Sequence, residues 1–244
     1  MKHIPRFFIE KQIKEDFFIS KNDSIYHHIN NVLRLKPDNQ VILLNNTGKE
    51  YIYYIESINK EQIKLKLHEI KNGYELPIKI TLVQSILKGN KMDFVFQKAC
   101  ELGVSKIIPL ITEYTNVSLD DKKIKHKLKR WETIVKEASS QSERTKIPEI
   151  SYPLELSEIV NLTKDDDLIL ICHPRINIYL KNVLTHSIFN SIVIFCGPEG
   201  GFSEKDLRQI PSSYKFVKLT DTILRAETSG IVAISMILYH FLKK

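Results

Sequence analysis

Cysteine is scarce in this sequence, and the few cysteines are far apart. The 244 residues include three, Cys100, Cys172 and Cys196, and each lies within an apolar stretch. An odd number of cysteines at wide spacings matches neither a disulfide framework nor a zinc-binding pattern. We therefore predict buried, reduced thiols, and we expect no metal site and no redox chemistry from them.

Long hydrophobic runs are also missing. The most apolar stretch extends only from Ile231 to Leu242 and is interrupted by Ser235 and His240. It is too short to span a bilayer and instead predicts a buried helix. Residues 1–6 show neither the apolar core nor the cleavage site of a secretory signal, so a cytoplasmic protein is the expectation.

The composition is that of a folded, water-soluble protein. Hydrophobic residues make up 43% and charged residues 27% of the chain, which argues against disorder and against collagen-like or low-complexity assemblies. A length of 244 residues favours one main domain with a small additional module, and it is sufficient for a sizeable core.

The positive charge is concentrated in the first 146 residues. The net charge is +3 over residues 1–73, +5 over 74–146 and −1 over 147–244. This asymmetry favours a polyanion bound by the first part and a smaller ligand held by the last. The basic run from Lys122 to Arg130 is equally typical of a solvated helix face.

Residues 1–73 have the pattern of a small β module. Apolar runs, turn formers and a period-2 alternation predict strands at residues 41–44, 51–58 and 63–67. A short helical pattern between Asp23 and Leu35 places four apolar residues on one face: Ile25, Ile29, Val32 and Leu33. Turn formers and a proline at residues 72–77 mark a domain boundary after residue 73.

Residues 74–244 alternate between strand and helix patterns. Strands are predicted at residues 78–83, 107–111, 168–172 and 192–196, and helices at residues 90–102 and 122–142. Gly103 closes the first helix, and the core is expected to include Phe94, Phe96 and Trp131. Because the strands at 168–172 and 192–196 are apolar throughout, the fold class is α/β, with a parallel sheet covered by helices on both faces.

The densest local motif is the glycine-rich segment from Gly197 to Ser203, directly after a predicted strand. Ligands of open α/β sheets bind at such carboxyl ends. Ser203 and Asp206 have the spacing of a helix N-cap, so the loop leads into a helix start. The pattern is neither a dinucleotide-binding nor a P-loop motif, and a purely structural tight turn is the alternative.

A second signal is the pair Arg225 and Glu227, just before the most apolar helix. Charged residues at this place are also typical of local helix capping, because Glu227 complements the positive helix start.

Several motifs in order resemble the RsmE-type methyltransferases. They are Gly197–Gly201, Ile223–Thr228, Lys88–Gly89 with Lys91–Met92, Gln97–Lys98 with Glu101–Val104, Gln141–Ser142 with Arg144, His173–Pro174, Pro5–Phe8, and His28 with Val32–Leu35. That family consists of SPOUT-class enzymes that use S-adenosylmethionine to methylate N3 of a uridine in the decoding region of 16S ribosomal RNA. The similarity runs nearly from end to end.

The resemblance implies a PUA-like RNA-binding module at residues 1–73 and a SPOUT methyltransferase domain with a deep trefoil knot at residues 74–244. It also implies a homodimer and a cofactor site on three loops: the end of the strand Leu168–His173, Gly197–Phe202, and Leu219–Leu224. The cofactor contacts it implies are Leu170, Cys172, His173, Gly197, Pro198, Gly200, Gly201, Phe202, Leu219, Thr220, Thr222, Ile223 and Leu224. The family usually has glycine and arginine where this chain has Thr220 and Thr222, so the third loop is expected to carry one positive charge fewer.

The reaction needs a base and stabilisation of negative charge, because N3 of uridine carries a proton and is a poor nucleophile until the proton leaves. Arg225 is the candidate for charge stabilisation on the uracil oxygens, and Glu199 or Glu227 for the base. The candidates for RNA contacts are Arg6, Arg34, Lys88, Lys91 and Arg144.

Two other functions remain open from the sequence. One is a non-catalytic RNA-binding ribosome assembly factor on the same fold, and the other is a SPOUT methyltransferase that acts on another RNA, such as transfer RNA.

Overall fold

The computed structural model describes residues 4–115, 120–163, 167–184 and 189–242. The chain divides into two compact units: Met1–Glu75 with Ser139–Ile147, and Leu76–Ala138 with Pro148–Lys244. The boundary predicted after residue 73 lies close to the first of these limits. The return of residues 139–147 to the first unit had no signal in the sequence.

The first unit contains a five-stranded sheet in the order β1-β3-β4-β5-β2. Its strands are β1 (Arg6–Phe8), β2 (Asp16–Ser20), β3 (Gln40–Leu44), β4 (Lys49–Ile58) and β5 (Gln62–Asn72). Strand β1 is parallel to β3, and the other pairs are antiparallel. The predicted alternation in β5 is confirmed at its start, where Ile63 and Leu65 are fully buried and the intervening Lys64 is ion-paired at the surface.

The helical segment of this unit differs from its prediction. Helix α1 (Ser24–His27) runs into a π-helical turn, His28–Val32. Ile29 is fully buried as predicted, but Val32 and Leu33 are exposed. A π-helical turn closes its hydrogen bonds five residues apart instead of four, so it rotates the following residues off the apolar face that a regular α-helix predicts.

The second unit is built on a parallel sheet in the order β12-β10-β11-β6-β7-β8, with β9 paired to β7. Its strands are β6 (Lys79–Ser85), β7 (Lys106–Ile111), β8 (Glu149–Ile150), β9 (Leu154–Glu155), β10 (Leu168–Cys172), β11 (Ser191–Cys196) and β12 (Lys215–Val217). The predicted parallel sheet is confirmed, and β10 is buried along its whole length. The deep trefoil knot stays a prediction.

Helices cover both faces of this sheet. They are α2 (Lys91–Glu101), α3 (Asp121–Gln141), α4 (Leu156–Thr163), α5 (Leu180–Val183), α6 (Glu204–Arg208) and α7 (Ala226–Phe241). On one face, Ile159 of α4 belongs to the same buried cluster as Phe195 of β11. The next residue, Cys196, points to the other face and lies against Gly230 of α7, which also packs on α2.

The predicted end of α2 is confirmed, since Gly103 has a φ of +83°, a conformation that strongly favours glycine. Phe96 and Trp131 are core residues as predicted and stack with their ring centroids 4.7 Å apart. The prediction that Phe94 belongs to the core is wrong, because this residue lies on the outer side of α2 and 45% of its surface is exposed.

Helix α7 is buried on one face only. Its buried residues are Gly230, Ala233, Ile234 and Ile237, while Ser235 and Tyr239 are exposed. The prediction of a buried helix is therefore wrong for half of its surface. Among the described residues, no helix is both long and apolar enough to cross a membrane. All three cysteines are buried and none forms a disulfide, as predicted.

Candidate active site

A cavity of about 640 Å³ lies at the carboxyl ends of the parallel strands of the second unit. Three segments line it: the residues after β10, the glycine-rich loop after β11, and the segment that leads into α7. Its lining comprises Lys91, Cys172–Arg175, Gly197–Phe202, Ile223–Glu227 and Ser229. A smaller cavity of about 50 Å³ beside it is lined by Cys172–Pro174, Leu219, Thr220, Thr222, Leu224 and Ser229.

The structure thus brings together twelve of the thirteen cofactor contacts predicted from the resemblance, in the lining of one cavity or the other. Leu170 is the exception. It is fully buried in the middle of β10, two residues before the strand ends, and it lines neither cavity. Four lining residues are not among the predicted site residues: Pro174, Arg175, Ala226 and Ser229. Pro174 and Ala226 lie within motifs that the sequence shows, and Arg175 and Ser229 each directly follow one.

The glycine-rich loop combines a turn with a helix start. The amide of Gly201 donates to the carbonyl of Pro198 at 2.9 Å, and Gly201 has a φ of +76°, which favours glycine. Ser203 then caps α6 in the predicted way, because its hydroxyl accepts from the amide of Asp206 while the Asp206 carboxylate accepts from the amide of Ser203. The tight turn explains why glycine occupies position 201. The loop that contains this turn also lines the cavity.

The third loop, Leu219–Leu224, departs from the family at Thr220 and Thr222. A hydrogen bond between these two residues stabilises it. The Thr220 hydroxyl donates to the carbonyl of Thr222 at 2.8 Å. Asp221 accepts hydrogen bonds from Lys218 and Tyr179, and both lower its pKa, Lys218 more strongly. Threonine at position 220 therefore closes the loop with a hydrogen bond that glycine lacks.

A cluster of charges lies at the mouth of the larger cavity. The Lys91 ammonium is 2.8 Å from Oε1 of Glu199 and 3.6 Å from Oε2 of Glu227. The hydrogen bond to Glu199 is the main reason that the pKa of Lys91 is raised. Partial burial by itself raises the pKa of Glu199, but the hydrogen bond from Lys91 and further hydrogen bonds outweigh it, so that the pKa is lowered.

Glu227 and Arg225 differ from Glu199 in their partners. Glu227 lies in the first turn of α7 with 13% of its side chain exposed, and its buried Oε2 accepts no hydrogen bond from a described residue.

Arg225 is the N-cap residue of α7 but makes no side-chain capping bond, and its exposed guanidinium has no ion-pair partner in the described part of the chain. Local capping therefore does not account for Arg225.

His173 follows β10 directly and lies on the wall of both cavities. Its ring meets that of Phe216 edge-on, with centroids 6.2 Å apart. Desolvation, with a smaller contribution from the charge of Arg175, lowers the pKa of His173. The lowered pKa favours the neutral imidazole, whose Nδ1 accepts from the amide of Arg175.

The predicted RNA contacts fall into two groups. Arg34 and Lys88 are exposed, and Arg34 has a φ of +51° at the end of the π-helical turn. The side chains of Arg6 and Arg144 are only 9% and 8% exposed, in ion pairs with Glu50 at 2.7 Å and Glu75 at 3.0 Å. These two guanidinium groups are ion-paired within the first unit, so Arg6 and Arg144 are not retained as candidate RNA contacts.

Lys91 differs from its expected role as an RNA contact. Its ammonium forms ion pairs with two carboxylates of the cavity, those of Glu199 and Glu227.

Two family models match the chain. One is described as an RNA methyltransferase domain and covers residues 74–238, and the other as an RNA methyltransferase PUA domain and covers residues 22–67. The fold and the cavity at the strand ends thus belong to an RNA methyltransferase with a PUA domain.

Relatives of known name narrow this class. Proteins named ribosomal RNA small subunit methyltransferase E from Bacillus subtilis (strain 168) and from Buchnera aphidicola subsp. Acyrthosiphon pisum are 31% and 34% identical to this chain, covering 96% of it and 96% and 92% of their own lengths. The crystal structure of the Neisseria gonorrhoeae protein of the same name, bound to S-adenosyl methionine, has a TM-score of 0.87 and 30% identity, over 97% of this chain and 98% of that one. The chain belongs to the ribosomal RNA small subunit methyltransferase E family, which confirms the resemblance seen in the sequence.

The charge cluster predicts a measurable change in the acidity of Glu199. In Lys91→Gln the hydrogen bond and the nearby positive charge are lost while the partial burial remains, so we expect the pKa of Glu199 to rise. The titration of its carboxyl carbon by NMR measures this. Lys98→Gln, which breaks the 2.8 Å ion pair with Glu101 on the same helix, is the matched control and should leave Glu199 unchanged. A Glu199 titration that is the same in Lys91→Gln as in the wild type contradicts the assignment.

Proposed function

We propose that this protein methylates N3 of a uridine in the 16S RNA of the small ribosomal subunit, in the decoding region, with S-adenosylmethionine as the methyl donor. The observation that carries the proposal is the convergence of Arg225, Glu199 and Glu227 on one cavity formed by three loops at the strand ends. Membership of the family supports the substrate class and the donor.

The larger cavity fits the proposed donor in size and chemistry. Its volume of about 640 Å³ lies in the range of small-molecule sites, which combine an apolar lining with a few polar groups. A Cβ built at Gly201 meets nothing within 4 Å, so the turn leaves open space at the wall. When bound, S-adenosylmethionine supplies a methyl group on a cationic sulfonium. The residues proposed to hold it are His173, Gly197–Phe202 and Leu219–Leu224.

We assign the base to Glu227 in preference to Glu199. Glu199 is engaged by Lys91 and its pKa is lowered, and a carboxylate of lower pKa is a weaker base. The Oε2 of Glu227 is 3.6 Å from the Lys91 ammonium, beyond hydrogen-bond distance, and accepts no hydrogen bond from a described residue. This oxygen is the one that we propose takes the N3 proton of the uridine.

Arg225 acts on the charge that the loss of this proton leaves behind. The electron pair released at N3 is delocalised onto the two uracil carbonyl oxygens, and a guanidinium next to them lowers the energy of that anion. The absence of a described partner for the Arg225 side chain leaves all of its donors available for this role.

The target base must be accessible at its Watson–Crick edge, because N3 takes part in base pairing. A paired uridine has to be unpaired before it enters the cavity. Arg34 in the first unit and Lys88 in the second are the exposed cations that we retain as RNA contacts. The family match of residues 22–67 to a PUA domain supports RNA binding by the first unit. The cytoplasm, where ribosomal subunits assemble, is the proposed location.

We also propose a homodimer in which the outer face of α7 meets its copy. An open groove of about 600 Å³ runs along this face, and its lining is mostly apolar: Lys181, Leu184, Ile231, Val232, Ser235, Met236, Tyr239 and His240. Exposed apolar patches of this kind are typical of interaction sites. The same helix carries Arg225 and Glu227 at its start, so an interface here adjoins the proposed active site.

A labelling experiment tests the reaction directly. The protein is incubated with isotope-labelled S-adenosylmethionine and small ribosomal subunits that lack the modification, and the nucleosides of the digested RNA are identified by mass spectrometry. We expect labelled 3-methyluridine. Absence of label would favour the binding-factor alternative, and label in added transfer RNA but not in the subunits would favour a different RNA substrate.

Substitutions in the cavity test the assigned roles. Arg225→Ala and Glu227→Gln are each expected to lower the rate of methyl transfer by about 10²- to 10⁴-fold, as is usual for loss of charge stabilisation or of a general base. Glu199→Gln is the matched control for Glu227→Gln and should lose less. Single-turnover rates at saturating donor measure these effects. Full activity of Glu227→Gln would remove it as the base.

The dimer is tested by placing a charge in the groove. Met236→Glu is expected to give a monomer, because a carboxylate without a partner is costly to bury in an apolar interface. The control is Ile70→Glu, since Ile70 is 52% exposed on β5 and lies outside the proposed interface. Light scattering coupled to gel filtration reports the mass. A monomeric wild type, or a dimeric Met236→Glu, contradicts the proposal.

A further inference from the structure

Helix α3 carries four lysines that no described residue neutralises. Lys122, Lys125, Lys127 and Lys129 make no ion pair with any described residue, and three of them (Lys122, Lys125, Lys129) are exposed. Surface lysines elsewhere are different. Those of β5, for example, are paired within 3.1 Å of a carboxylate: Lys64 with Glu56, Lys66 with Glu15, and Lys71 with Glu69.

The position of these lysines on the helix is unfavourable for the isolated protein. Helix α3 begins at Asp121, so Lys122 and Lys125 lie near its amino end, where the helix dipole disfavours cations. Lys122, Lys125 and Lys129 are spaced by three and four residues, which places them in one row and makes them repel one another. The stability of the helix itself does not explain why three lysines lie in one row. Binding of an external anion explains it.

The anion is not a lipid surface, and the apolar side of α3 shows why. Ile124, Trp131 and Val135 form the apolar side of the helix, and all three are buried in the second unit. A helix that binds a lipid surface needs its apolar side free to enter the lipid. The basic side of α3 therefore suits a polyanion that is recognised by charge alone.

The helix is also attached to the element that leads to the candidate active site. Arg130 of α3 donates to the carboxylate of Asp93 on α2. Helix α2 begins with Lys91, whose ammonium is part of the cavity lining. The ion pair between Arg130 and Asp93 therefore links the lysine-bearing helix to the helix whose first residue lines the cavity.

We propose that the row Lys122, Lys125 and Lys129 on α3 is a binding surface for the phosphate backbone of the substrate RNA. It contacts the RNA outside the methylated nucleotide and contributes to affinity without reading sequence. The inference rests on the proposed function, because it takes the polyanion to be the RNA that is methylated.

The test compares two triple variants with equal loss of charge. In one, Lys122, Lys125 and Lys129 are changed to Gln. In the control, Lys98, Lys106 and Arg208 of the second unit, which are ion-paired with Glu101, Glu149 and Glu204, are changed to Gln. The probe is a 16S ribosomal RNA transcript, and its dissociation constant is measured at several salt concentrations. Loss of three phosphate contacts is expected to weaken binding roughly 10- to 100-fold near 0.1 M salt and to reduce the slope of log Kd against log salt by about 2 to 3.

The control variant should bind the transcript like the wild type. The α3 variant should keep at least wild-type thermal stability, because it loses cations from the amino end of a helix. Unchanged affinity and slope in the α3 variant, or an equal loss in both variants, would overturn the proposal. So would a wild type that does not bind the transcript.

Methyl transfer by the wild type separates this inference from the proposed function. If the wild type forms 3-methyluridine and the α3 variant binds RNA normally, the function stands and only the α3 surface is wrong. If no methyl transfer occurs while the α3 variant loses RNA affinity as expected, the proposed reaction fails and the RNA surface stands.

Discussion

The parallel pairing of β10 with β11 and β12 is the constraint on which the candidate site depends. Parallel strands end at the same edge of a sheet, so the segments after Cys172, Cys196 and Val217 meet although they are far apart in the chain. The cavity is the space between these segments. Because α7 packs on β10 and β11, its N-cap residue Arg225 and the Glu227 of its first turn lie at that space.

The positive charge of the protein serves different purposes in different places. Arg6 and Arg144 are nearly buried and neutralised by Glu50 and Glu75, and Lys91 holds Glu199 at the cavity. These cations stabilise the protein's own structure. Lys122, Lys125 and Lys129 of α3 make no ion pair with a described residue, which leaves their charge for an external anion. A formal net charge of +7 therefore says less about RNA binding than the pairing of each cation does.

Sequence patterns were reliable where one physical requirement governs a segment. The apolar runs of β10 and β11 can only be buried on both faces, and the Ser203 cap and the Gly103 helix end follow from backbone chemistry. They were unreliable where several arrangements satisfy the same composition. A π-helical turn exposed Val32 and Leu33, and Phe94 lies on the outer side of a helix whose apolar spacing otherwise points inward.

The sequence by itself determined the fold class, the family and the three loops of the candidate site, because these depend on periodicity and on motifs that lie within short segments. Only the tertiary structure decided which charged groups meet. The contact of Lys91 with Glu199 spans 108 positions in the chain, and that of Arg144 with Glu75 spans 69. Ion pairing depends on distances of a few ångströms between side chains, and no local pattern of residues encodes such distances.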